Sequence, residues 1–213
     1  MPKSKLLNFH SHNSDSRIIN ISLSAYTDYI PADDRQLLTV GIHPWDSESE
    51  QLAEFGYLST ALNDKRVVAL GEVGIDPLRG APIERQMFLL EAQLKYAVPL
   101  GLPIVFHIVR RHDLLLELYS KFRPSAPWAV HGFRGRPEVA NKLAAVGIYM
   151  SVGKRFNAES VAAIPDNLLL VETDMDDDNT IFEVIAAVAQ ARNQSPEYVA
   201  RICEANLARF YNL

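Results

Sequence analysis

The chain has 213 residues, of which 48% are hydrophobic and 22% charged, so it can bury a substantial core and is not a disordered polymer. With 21 Lys and Arg against 26 Asp and Glu, its net charge of -5 excludes coating of nucleic acid by bulk positive charge, though not a local basic patch. The single cysteine, Cys203, excludes an internal disulfide and any multi-cysteine zinc module.

Met1-Pro2-Lys3-Ser4-Lys5 leads into Leu6-Leu7-Asn8-Phe9-His10 without a signal-peptide core. No apolar run reaches the roughly 18 residues of a spanning helix, so we expect no membrane segment and a cytoplasmic protein. Strands are expected at residues 6–12, 17–23, 38–43, 66–74, 103–107, 128–131, 148–152 and 168–174. Unbroken apolar runs such as Val67-Val68-Ala69-Leu70 and Leu168-Leu169-Leu170-Val171 are what strands buried on both faces look like. Helices are expected at 48–62, 83–100, 113–122, 137–146, 180–191 and 196–210. Ser195-Pro196-Glu197 supplies an N-cap with proline at the first helical position, and Gly147 a helix stop.

Eight strands alternating with helices point to an α/β chain of the TIM (β/α) barrel kind, near its lower size limit, with a doubly wound open sheet as the alternative. Residues 13–16 cannot cross over as a helix between the first two strands, because a parallel connection needs a dozen residues or more. The barrel is therefore expected to be distorted and trimmed there. No linker, repeat or low-complexity tract divides residues 1–213, which read as one domain.

Metal-type side chains recur at the ends of these strands. His10 and His12 are two apart on the first strand and so share a face. Glu72 closes the fourth strand, His107 the fifth, His131 the sixth and Asp174 the eighth. Singly, each has an ordinary explanation, a buried core histidine or a helix-capping carboxylate. Together, at one end of five strands, four imidazoles and two carboxylates match the ligands of two borderline divalent cations. In a barrel those ends form the catalytic ring.

The motifs resemble the TatD family of metal-dependent hydrolases. They are Phe9-His10-Ser11-His12, Val40-Gly41-Ile42-His43-Pro44, Ala69 to Asp76, Glu84-Arg85-Gln86-Met87-Phe88 with Gln93-Leu94, and Leu102 to His107. His131-Gly132-Phe133, Leu170-Val171-Glu172-Thr173-Asp174 and Asn206 to Phe210 complete the series. The resemblance implies a distorted barrel with two divalent ions and phosphodiester hydrolysis, typically as a deoxyribonuclease acting as an exonuclease on DNA ends, single strands included. It places His10, His12 and Asp174 on one ion and His107 and His131 on the other, with Glu72 bridging. A metal-activated hydroxide would attack phosphorus, and Asp174 would take the proton of that water. Zinc suits four histidines best; magnesium and manganese are compatible with the family.

His43 is expected at the phosphate or leaving group, and Asp76 either behind a ligand or as a loop cap. His112 reads as a surface residue and Cys203 as a small buried hydrophobe. Arg110, Arg111, Arg134, Arg136, Lys154 and Arg155 follow strand ends. Of these, Arg110, Arg134, Lys154 and Arg155 are the expected substrate-binding residues of a phosphate track. Two stretches depart from the family. Met175-Asp176-Asp177-Asp178 stands where Ala-Pro-Tyr is common, and Phe133-Arg134-Gly135-Arg136 replaces a serine-rich turn. Three carboxylates there would repel a polyanion unless they bind metal or face solvent. The rival functions are a metal-dependent hydrolase of a small phosphoester, amide or lactone, and a non-catalytic barrel that serves as a binding protein.

Overall fold

A computed structural model describes residues 7–29, 35–48 and 54–213. Among the described residues, seven strands alternate with eight α-helices in the order expected of an α/β chain. The strands are β1 (Ile18–Ser22), β2 (Leu37–Gly41), β3 (Val67–Ile75), β4 (Ile104–Ile108), β5 (Trp128–Val130), β6 (Tyr149–Val152) and β7 (Leu169–Val171). The helices are α1 (Leu23–Tyr26), α2 (Glu54–Leu62), α3 (Ile83–Ala97), α4 (His112–Phe122), α5 (Pro137–Ala145), α6 (Ala158–Ala163), α7 (Ile181–Arg192) and α8 (Pro196–Tyr211). The start of the expected 6–12 strand and residues 49–53 of the expected 48–62 helix lie outside the described residues. None of the described helices is long and apolar enough to cross a membrane.

The chain divides into two compact units, one comprising Met1–Ile19 with Ala129–Leu213, the other Asn20–Trp128. In the second unit β2, β3 and β4 pair in parallel, with Val40 opposite Leu70 and Gly74 opposite His107. Ala69, Leu70, Val73 and Ile75 of β3 and Ile104, Val105 and Phe106 of β4 are fully buried, as the unbroken apolar runs predict. A Cβ on Gly74 would lie 1.8 Å from the His107 carbonyl oxygen, so only glycine lets β3 approach β4 at that level. Helix α3 buries Leu89, Leu90, Leu94 and Ala97, together with Gln86 and Gln93. These glutamines are seven residues apart, hence on one helix face.

In the first unit β5, β6 and β7 pair in parallel, with Val130 opposite Met150 and Val152 opposite Val171. Helix α8 starts as expected, Ser195 Oγ accepting from the Tyr198 amide with Pro196 in the first turn. Its Asn206 donates to the carbonyls of Asp166 and Leu169, and its Tyr211 hydroxyl donates to the Phe9 carbonyl at 3.0 Å. Gly147 follows α5 with φ of 80°, the left-handed stop the sequence predicts.

The expected first strand does not form among residues 7–12; Ser11 makes only an isolated parallel bridge to Asp174. The backbone still pairs at three points: Phe9 N donates to Val171 O, Asp174 N to His10 O and His12 N to Asp174 O. Between them the Asn8 side chain substitutes for a backbone group, accepting from the Thr173 amide at 3.0 Å and donating to its hydroxyl at 2.7 Å. Side-chain bonding thus interrupts the ladder. The expected eighth strand shrinks for the same reason: β7 stops at Val171, and Glu172, Thr173 and Asp174 lie beyond it. Helix α6 was not foreseen, since six residues are too few for a periodic signal.

Candidate metal centre

Each unit carries its own cluster of metal-type side chains. In the first, ligand atoms of His10, His131 and Asp174 lie within 4.8 Å of one another. Nε2 of His10 is 3.8 Å from Asp174 Oδ1, and Nε2 of His12 is 3.6 Å from the same oxygen. His10 and His131 stand with ring centroids 4.4 Å apart. Asp174 has φ of 55°, a left-handed conformation that Asp tolerates better than most residues, and this turns its carboxylate out of the line of β7.

Two carboxylates that sequence reasoning missed support this cluster. Glu172 is 1% exposed; its Oε1 accepts from the Gly132 amide at 2.7 Å and lies 3.4 Å from His131 Nδ1. Burial pushes the Glu172 carboxyl up, but the His131 and His10 imidazoles outweigh it and hold the group below its ordinary range. A carboxylate behind one ring nitrogen leaves the other to face a cation. The second is Asp178. It accepts from Asn8 Nδ2, Ser11 Oγ, Asn13 Nδ2 and Thr173 Oγ1 at 2.9 to 3.1 Å, and also from Ser16 Oγ. Asp176 and Asp177 are exposed. The acidic run therefore splits: two members face solvent and one ties the His10–His12 segment to the Asp174 turn.

In the second unit, ligand atoms of His43, Glu72 and His107 lie within 4.8 Å. Glu72, 4% exposed, presents Oε1 2.7 Å from His107 Nδ1 and 3.2 Å from His43 Nε2. Asp76 uses its two carboxylate oxygens differently. Oδ1 caps the loop by accepting from the Leu78 amide, while Oδ2 accepts from Trp45 Nε1 at 2.7 Å and lies 3.5 Å from His107 Nε2. Burial raises the Asp76 pKa, but those hydrogen bonds and His107 bring it below the ordinary value. The two buried glutamines of α3 fix this cluster's backbone. Gln93 accepts from Ile42 N and donates to Ile42 O beside His43; Gln86 accepts from Asp76 N and donates to Asp76 O.

His43 differs from the other imidazoles. Its Nδ1 accepts from the Trp45 backbone amide at 3.2 Å, so in the neutral ring Nε2 carries the proton. A protonated Nε2 donates, here toward Glu72 Oε1 at 3.2 Å, and cannot ligate a cation.

Of the expected track, Arg110, Arg134, Lys154 and Arg155 are all exposed. Lys154 faces Glu183 at 4.0 Å and Arg111 pairs with Asp113 at 2.9 Å. No carboxylate among the described residues pairs with Arg110, Arg134 or Arg155, so the Asp176–Asp178 run does not neutralise them. His112 opens α4, half-buried, and belongs to neither cluster. Cys203 is buried, its thiol pushed up to about 12 by burial, an inert core residue as expected.

Imidazole and carboxylate together are donors that borderline divalent cations accept, so the residues fit metal ions. The family described as TatD related DNase matches residues 4–212. The uncharacterized metal-dependent hydrolase YjjV of Escherichia coli K12 is 32% identical over 148 residues, 65% of this chain. That match spans 57% of the relative's own length. The protein named 3'-5' ssDNA/RNA exonuclease TatD of Erwinia billingiae is 27% identical over 201 residues, covering 82% of this chain and 77% of the relative. The crystal structure of E. coli YjjV superposes with a TM-score of 0.79 at 25% identity, over 94% of this chain and 88% of that one. With its α/β order, its parallel strands and its histidine and carboxylate clusters already described, the chain belongs to the TatD-related DNase family of metal-dependent hydrolases.

Proposed function

We propose that the chain is a nuclease that cleaves phosphodiester bonds at the ends of nucleic-acid strands, single-stranded DNA or RNA first, with two divalent cations. The observation that carries it is the set of largely buried imidazoles held beside carboxylates, His10 and His131 with Asp174 and His107 with Glu72, at distances a cation could span. The name of the Erwinia billingiae relative supports a 3′ end as the point of attack. In this reading His10, His12 and Asp174 hold one cation and His107 and His131 the other, with Glu72 common to both. Zinc suits the imidazoles best; manganese and magnesium are the alternatives. Bound cations would supply an acidified water and a Lewis acid for the phosphoryl oxygen.

The chain's own groups do the rest. Asp174 directs Oδ1 at His10 and His12 while its side chain stays 39% exposed, which leaves the second oxygen to take a proton from the attacking water. His43 donates from Nε2 to a phosphoryl or leaving oxygen. Glu172 stands at Nδ1 of His131 and leaves its Nε2 to hold a cation. The test is to strip the protein with a chelator and restore zinc, manganese or magnesium in turn. End-labelled single strands, duplexes and a small activated phosphodiester are then offered. Nucleotides should be released stepwise from single strands, with loss on chelation and recovery on restoring one metal. Turnover confined to the small ester or to a lactone would give the lead to the small-substrate alternative.

A further inference from the structure

Two segments beside the His43–Glu72–His107 cluster are joined to each other, and the chemistry above uses their Trp45 amide and Asp76 but neither the Trp45 indole nor Arg79. The first is the turn at Pro44–Asp46; the second is the loop between β3 and α3. A Cβ on Gly80 would lie 2.2 Å from the Pro44 carbonyl oxygen, so the loop backbone rests directly on the turn. Ser47 Oγ donates to Pro44 O and accepts from the Ala81 amide at 2.9 Å. Gln86 Nε2 donates to the carbonyls of Asp76, Arg79 and Ala81 at 2.7 to 2.9 Å, which holds the loop from below.

On this base stands Trp45. Its indole N–H is fixed by Asp76 at 2.7 Å, and its ring centroid lies 4.8 Å from that of His43 and 5.6 Å from that of His107. The guanidinium of Arg79 lies over the indole, Cζ 3.6 Å from the ring centroid. Trp45 nevertheless stays 42% exposed. Arg79 is exposed too, and no carboxylate among the described residues pairs with it. A guanidinium stacked on an aromatic ring is held flat, with its N–H donors aimed sideways, the form in which arginine grips phosphate.

We propose that Trp45 and Arg79 form a subsite for the nucleotide adjoining the bond that is cleaved, in which Arg79 binds its phosphate and the indole takes the face of its base. The inference rests on the nuclease reading and extends it by a residue pair outside the expected basic track. An exposed aromatic next to an uncompensated cation is how single strands are held without sequence preference. A small phosphoester, with no neighbouring base or phosphate, would have no use for it.

The test uses the full chain with a phosphorothioate oligonucleotide that resists cleavage. Arg79→Ala should weaken binding about tenfold, the scale of one charged hydrogen-bonded contact. It should also lower the slope of log K against log salt by about 0.7, one phosphate contact to a single strand. Arg79→Lys should recover the slope but not the full affinity. Trp45 is the exposed one of two tryptophans, Trp128 being 1% exposed, so intrinsic fluorescence reads it directly. The oligonucleotide should quench it, and an oligonucleotide abasic at the terminal nucleotides should not. Wild-type cleavage of single strands together with unchanged affinity and slope in Arg79→Ala would overturn this inference alone. So would a fall in metal content in Arg79→Ala, which would make the loop a support of the metal cluster. A wild type that hydrolyses only small esters would overturn the nuclease reading and this subsite with it.

Discussion

The two clusters reach similar chemistry through different supports. His43, Glu72 and His107 are carried by regular secondary structure: Glu72 lies inside β3, His107 inside β4, and His43 two residues past β2. The β3–β4 ladder pairs His107 with Gly74 and the Gln93 side chain holds Ile42 beside His43, while Glu72 sits within β3 where its register against β4 shifts between Leu70 and Val73. His10 and His12 sit instead on a segment with only an isolated bridge, and Asp174 on a left-handed turn. There the scaffold is made of side chains, chiefly Asp178 with its five donors and Glu172 behind His131. A ladder spreads the load over many weak bonds, whereas a hub concentrates it on one carboxylate. The second cluster should therefore be fragile in its chemistry and robust in its fold, the first fragile in both.

The largest effect expected follows from Glu72→Gln, which removes the carboxylate charge while β3 stays intact. Activity should fall by a factor on the order of 10² to 10³, the scale of losing one principal electrostatic stabiliser, with little change in Tm. Metal analysis belongs beside the kinetics: two tightly held ions per chain with near-normal turnover would refute the assignment of Glu72 to both. A marked drop in Tm would refute the contrast drawn between the clusters.

Glu172→Gln is the next in size. The amide can still accept from Gly132 N but no longer offers His131 a charge, so affinity for one of the two ions should weaken by about 10- to 100-fold. Calorimetric titration of the stripped protein would resolve the two ions. Equal weakening of both, or of neither, would mean that Glu172 supports the fold rather than His131.

The smallest effect is on stability and depends on pH. Burial raises the Asp178 carboxyl, but hydrogen bonds from Ser16, Asn13, Ser11 and Thr173 prevail and hold it below its ordinary value of 3.8. A group whose folded pKa is depressed stabilises the fold above its unfolded pKa, and that contribution disappears as pH falls through the folded value. Asp178→Asn should accordingly cost about 1–2 kcal/mol near neutrality, and the gap from wild type should begin to narrow as pH falls below about 4. Thermal unfolding of both proteins from neutrality into the acid range measures it. A gap that stays constant as pH falls below about 4 would assign the loss to shape rather than charge.

The sequence by itself determined the order of strands and helices, the cap at Ser195 and the stop at Gly147. It also marked the residues whose donor chemistry is that of metal ligands, because periodicity, caps and side-chain identity are local properties. It placed Glu72 and His107 on strands for the same reason. The basic track and the acidic run were visible only as composition. Which of Asp176, Asp177 and Asp178 turns inward depends on Asn8, Ser11, Asn13 and Ser16, more than 160 residues away for each of the bonds to Asp178. The carboxylate behind His131, the glutamine clamps of α3 and the Arg79–Trp45 stack were likewise decided by tertiary structure. Each is a hydrogen bond or ring contact between separate segments, and nothing in the spacing of either segment encodes its partner.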